Sequence, residues 1–274
     1  MATKNLEYIK KELPKSLQKL GLTLVLIGLA IGIFLFLLDP QRATFSYLLT
    51  FMFVMSIGIG ALFLVALEYI AGADWSTPIR RIVEFFAGAI PLLLVLVIPL
   101  LLNMKELFLW TDTELLRADY IMSGKEAYLN VPFFIIRVAV VLGLWTLFYF
   151  LLTRNSRKQD STKDQSLTTK NIKISAIFIP IFAITVTIAA VDWLMTLEPL
   201  WFSTIFGVYF FSGSVVVTLC VVTLAVVLLR EHGYLHPKMI DDHYYSLGAL
   251  IFAFVNFWAY IAFSQYLLIW YANL

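Results

Sequence analysis

Arg137 stands about two turns inside an apolar run of the sequence. An ionised group at that depth is costly, so it faces a protein interior or a wet cavity, or it snorkels to the interface. A guanidinium keeps its charge at any ordinary pH. If Arg137 is buried, it needs a carboxylate or a polar ligand headgroup beside it. Asp192 and Glu198 are the acids at a similar depth by span counting, around a short turn without Lys or Arg. They face the aqueous boundary, partner Arg137, or relay protons. Glu68 and Glu84 lie near the opposite ends of two other spans. Interfacial pairing with Arg80 or Arg81 is one reading, and a proton entrance is the other. A connected proton path also needs polar groups deeper in the membrane, and Ser56, Thr185, Thr187 and Asn256 are available.

Redox metal chemistry has little to work with. Cys220 is the single cysteine, so neither an intrachain disulfide nor an iron–sulfur or C-x-x-C-H haem spacing is present. His232, His236 and His243 all fall in or beside one loop, whereas a b-type haem needs histidines within its helices. No metal site, catalytic residue or cofactor of its own is therefore expected.

The elements that carry these residues are seven apolar stretches, at 18–38, 45–70, 82–102, 131–152, 172–194, 203–229 and 244–270. Each is long enough for a helix to cross a bilayer, at about 20 residues and 1.5 Å rise per residue. With 61% hydrophobic and 14% charged residues the chain falls in the membrane class. Backbone groups in lipid must be satisfied within the segment, and these runs are too long and uniform for barrel strands. The expected fold class is an all-α polytopic membrane protein.

Charge sets the expected orientation. The N-terminal side, side A, holds 15 of the 20 Lys and Arg residues, while side B holds Arg42, Lys105, Arg117 and Lys125. The positive-inside rule puts side A in the cytoplasm. The first apolar run is a full span, so no cleavable signal peptide is evident.

The stretch 1–17 repeats Leu6, Ile9 and Leu13 among lysines, as an amphipathic helix on the inner leaflet or on a partner subunit does. The stretch 18–152 reads as a first four-helix bundle, the polar 153–171 as a flexible cytoplasmic linker, and 172–274 as the three-helix start of a second bundle. An interfacial helix is expected within 103–130. Gly28 with Gly32, and Ser56 with Gly60, are spaced for close helix packing. Pro91, Pro99 and Pro180 are expected to kink their spans. Trp110, Trp201, Trp270 and Tyr271 sit where an aromatic belt would place them, although a quinone pocket also needs aromatic walls.

Three stretches carry a family resemblance: KEAYLNVPFFIIR from Lys125 to Arg137, DWLMTLEPLWFSTIFGVYFFSG from Asp192 to Gly213, and FAFVNFWAYIAFSQYLLIWYANL at the end. Across roughly 18–274 the chain resembles ActF, the NrfD/PsrC-like membrane subunit family of bacterial alternative complex III. The resemblance implies paired four-helix bundles in a quinol:cytochrome c oxidoreductase. It implies iron–sulfur and haem c partner subunits, a paralogous NrfD-like membrane subunit, menaquinol or ubiquinol as substrate, and the bacterial cytoplasmic (inner) membrane as location. By position it marks Arg137, Asp192, Glu198 and Trp201 as quinone or proton-path candidates. Leu200 departs from the family, where a polar residue, often His, is common, and Tyr245–Ala249 carries less charge than usual. The family continues past WYANL, which implies a chain shortened relative to it.

The leading expectation is thus a cofactor-free membrane subunit that anchors redox partners and contributes a proton path or quinone-site surface. A stand-alone secondary transporter and a passive scaffold are the other two readings. Membrane lipids are partners under each of them, and nucleic acid under none.

Overall fold

A computed structural model describes residues 14–235 and 239–272. Residues 1–13, with most of the amphipathic stretch, and His236 lie outside the described residues. Among the described residues, seven helical segments are long and apolar enough to cross a membrane: Lys15–Leu38, Pro40–Ala71, Arg80–Leu102, Val131–Thr162, Ser166–Leu197, Phe206–Glu231 and Asp241–Ala272. No strand occurs among the described residues. The protein is an all-α polytopic membrane protein.

Helix α1 (Lys15–Leu38) and α2 (Pro40–Ala71) meet at one residue, Asp39. Its carboxylate accepts from Arg42 N at 3.0 Å and caps α2, while Pro40 supplies the fixed φ of a first helical turn. Helix α2 stops at Gly72, in the left-handed region at φ 62°, where a Cβ is disfavoured. The third span is broken into α3 (Arg80–Ala87), α4 (Ala89–Leu96) and α5 (Ile98–Leu102). Pro91 and Pro99 each lack the N–H that a continuous helix needs, which accounts for the interruptions.

The stretch 103–130 holds three short helices, α6 (Met104–Leu107), α7 (Thr113–Ala118) and α8 (Tyr120–Ser123), instead of one interfacial helix. Asp112 and Asp119 cap the last two by accepting backbone N–H groups. This stretch, 103–130, forms a lid over the side B end that folds inward and buries Leu107, Phe108, Trp110, Leu116 and Met122. Trp110 is thus a core residue at 1% exposure and leaves the expected belt, stacking on Phe108 at 5.1 Å. Trp201, Trp270 and Tyr271 remain exposed.

Helix α9 (Val131–Thr162) and α10 (Ser166–Trp193) correct the expected linker. Of 153–171, only 163–165 is non-helical. At 1.5 Å per residue α9 is roughly 48 Å long, well beyond a hydrocarbon core of about 30 Å, so its side A end projects into the polar zone. Polar composition there signals solvent exposure of a helix, since Arg, Lys and Gln are good helix formers. Asn155 and Asn171 tie the two helices by a 2.9 Å side-chain bond, and Asn171 also donates to Leu152 O. Helix α10 runs unbroken through Pro180.

Helices α2, α3–α5, α9 and α10 surround one apolar core, with α11 (Phe206–Glu231) against α2 and α10 and α12 (Asp241–Ala272) against α11. Buried residues of α11 join the same core, and α1 contributes none. Helix α1 has no buried residue and packs mainly against α2 among the described residues. Its Gly28 and Gly32 have nothing within 4 Å of a built Cβ, so that pair packs against no described residue. Gly60 is different. A Cβ there would lie 2.8 Å from Ser214 O on α11, so α2 and α11 approach as closely as a missing side chain allows.

Candidate functional site

Two buried charge clusters lie at opposite ends of the bundle. The side B cluster begins with Asn130, whose side chain accepts from Phe133 N at 3.0 Å and starts α9 with Pro132 in its first turn. That start places Arg137 facing α10. Arg137 is buried, at 7% exposure, and pairs with Asp192, at 2%. The contact is bidentate, Nε to Oδ2 at 2.8 Å and Nη2 to Oδ1 at 2.9 Å. Its Nη1 donates to Tyr128 O at 3.0 Å, and the Tyr128 hydroxyl donates to Asp192 Oδ1 at 2.8 Å. The guanidinium carbon also lies 3.8 Å from the Tyr128 ring centre and 4.5 Å from that of Phe133. Burial and the Asp192 charge hold the Tyr128 phenol above its usual range, so it stays a donor.

Of the two acids available in sequence, Arg137 takes Asp192. Glu198 is exposed and makes no ion pair among the described residues. Trp201 lies edge-on to Phe206 at 5.6 Å and does not reach the pair. The void beside Arg137, Asp192 and Trp145 measures about 10 Å³, no more than one water needs. A quinone ring does not fit between these charges. Their arrangement is a clamp that fastens α9, α10 and the lid.

The side A cluster forms where α2 ends and α3 begins. Arg81 donates to Glu84, to Ser156 O at 2.9 Å and to Asp160 Oδ2 at 2.5 Å, and so links α3 to the projecting end of α9. Arg80 Nε stands 3.6 Å from Glu68 Oε2, an ion pair without a hydrogen bond. Glu68 Oε2, Glu84 Oε1 and Tyr69 Oη are buried without a hydrogen-bond partner. Glu68 also lines a cavity of about 120 Å³, otherwise walled by apolar groups such as Leu64, Trp75, Val83, Leu219 and Leu247. Glu68 and Glu84 face Arg80 and Arg81, and Asp160 joins them from the exposed end of α9. The unmet oxygens and the cavity can together take up a proton with water.

The side chains of Thr185, Thr187 and Asn256 are satisfied locally. Thr185 accepts from Trp145 Nε1 at 2.8 Å and donates to Ile181 O, Thr187 donates to Ala183 O, and Asn256 donates to Phe252 O. Ser56 offers its backbone carbonyl to Thr218. Among the described residues no hydrogen-bonded chain joins the two clusters through them.

Tyr128, Trp145 and Asp160 escaped the reading of the sequence, whereas the Arg81 pairing with Glu84 was among its alternatives. Tyr128 stands within KEAYLNVPFFIIR, which was a signal; Asp160 sat in what read as a linker, which hid it. No set of three or more His, Cys, Asp or Glu residues able to hold a metal occurs among the described residues. Neither a protein-family model nor a curated protein matches this sequence.

Proposed function

We propose that this protein is an integral membrane subunit of a respiratory quinol:cytochrome c oxidoreductase, without a redox centre of its own. It holds iron–sulfur and haem c subunits and a paralogous membrane subunit on a quinol-oxidising complex that uses menaquinol or ubiquinol. One observation carries this reading: the three stretches that resemble the ActF family form one bonded unit. Arg137 and Tyr128 of the first hold Asp192 of the second, and Lys125 Nζ donates to Pro199 O at 2.6 Å. Ser203 of the second donates to Gln265 of the third, and Tyr209 stacks with Trp258 at 6.1 Å. Residues shared for a common architecture would meet in this way. Within the reading, the side B clamp supports the partner subunits, and Glu68 and Glu84 form a proton-accepting pocket on side A.

Extraction of the native membrane in mild detergent tests the proposal. Haem c and iron–sulfur subunits should copurify with quinol:cytochrome c reductase activity, and the isolated chain should show neither a Soret band nor iron. A chain that purifies alone and moves a solute supports the transporter reading instead. The proposed orientation has side A in the cytoplasm of a bacterial inner membrane, on the positive-inside rule. Protease added to sealed right-side-out vesicles should spare the turn at 163–165, and cleavage there reverses the orientation.

A further inference from the structure

A second feature of side A is independent of any redox role. The break between α3 and α4 opens a groove of about 500 Å³ between these helices, α2 and α9. Val54, Ile57, Phe85, Ala89 and Leu92 make its apolar walls, and Arg157 stands at its polar end. Gly88 gives the groove its depth, since a Cβ there would come within 3.2 Å of the Tyr149 hydroxyl. From Phe85 to Leu92 the walls run roughly 10 Å along the membrane normal, enough for the upper part of an acyl chain.

The charge at the mouth decides the occupant. Arg157 is exposed and makes no ion pair among the described residues. Arg154 and Lys158 flank it on the same helix. The nearby carboxylates, Glu84 and Asp160, are both engaged by Arg81. The mouth is therefore a net cation over an apolar slot. We infer that the groove is a binding site for an anionic phospholipid of the side A leaflet, its phosphate on Arg157 and one acyl chain between α2 and α4. A guanidinium matches phosphate geometry with two parallel donors, and basic pockets at membrane interfaces attract anionic headgroups. A choline headgroup would instead bring a second cation to the mouth.

Native mass spectrometry of the full chain in mild detergent tests this with phosphatidylglycerol and phosphatidylcholine of identical acyl chains. The wild type should retain phosphatidylglycerol preferentially. Arg157→Ala should reduce that preference roughly tenfold, as the loss of one charge-assisted bond implies. Leu92→Trp, at an exposed wall position, should weaken both lipids and keep the preference. Equal retention of the two lipids by the wild type overturns the site without recourse to any variant. An Arg154→Ala variant that loses as much preference as Arg157→Ala also overturns it, since diffuse surface charge then suffices.

Discussion

At side B, Arg137 and Asp192 meet through two parallel hydrogen bonds, with Tyr128 closing on both. At side A, Arg80 and Glu68 stand 3.6 Å apart, and three buried oxygens around them have no hydrogen-bond partner. Both ends bury charge, yet one void holds at most a water and the other measures about 120 Å³. A saturated pair in low dielectric is rigid. An under-coordinated carboxylate beside a cavity has free lone pairs to bind a proton or water. The sharper charge in the sequence, Arg137, is thus saturated, while the less conspicuous Glu68 keeps an unmet oxygen beside a cavity.

The strongest way to break this comparison is to remove one side of the saturated pair. Asp192→Ala leaves a buried guanidinium without its counter-ion and should cost about 3–5 kcal/mol. The apparent unfolding midpoint in detergent would fall steeply and assembly would fail. The double variant Arg137→Met/Asp192→Ala should recover much of the loss, since no charge is stranded. A single variant as stable as the wild type would show that the pair is not a clamp.

Tyr128→Phe removes one hydrogen bond to a charged group and should cost about 1.5–3 kcal/mol. Its pH dependence sharpens the prediction. Burial and the Asp192 charge raise the folded-state pKa of this phenol above the ordinary 10.0, so its contribution is complete below that pH and is lost as pH rises through the folded value. The deficit of Tyr128→Phe relative to the wild type should therefore shrink above about pH 10. A deficit constant across that range would remove Tyr128 from the clamp.

Smaller effects are expected at side A. Glu84→Gln weakens the Arg81 contact, but Arg81 keeps Asp160 and Ser156 O, so a loss of about 1 kcal/mol is expected. Glu68→Gln breaks no hydrogen bond from Oε2 and should leave the midpoint nearly unchanged, while slowing quinol turnover if the proposed proton pocket operates. The reverse stability order would show that the 3.6 Å pair is the stronger one. Smallest of all, Arg42→Ala on the side B boundary should alter neither the midpoint nor turnover, because its side chain is exposed and unpaired among the described residues.

Much of the membrane architecture was legible in the chain itself. Seven apolar runs near bilayer length demand helices, because lipid offers the backbone no other hydrogen-bond partner. The need of Arg137 for a counter-charge followed from its depth and fixed charge, and two acids were named for it. What one dimension leaves open is which partner geometry selects. Asp192 lies on the α10 face turned toward Arg137, while Glu198 falls past the helix end and points to solvent. The same limit hid Asp160, whose stretch is polar because it is helix projecting beyond the membrane. It also misplaced Trp110, which the folded lid carries inward from a boundary position. Sequence determined the segments, their lengths and the asymmetry of charge, because these depend on local solvation. Tertiary structure alone decided which charges are saturated and which stand beside a cavity, because that depends on distances of a few ångströms between residues far apart in the chain.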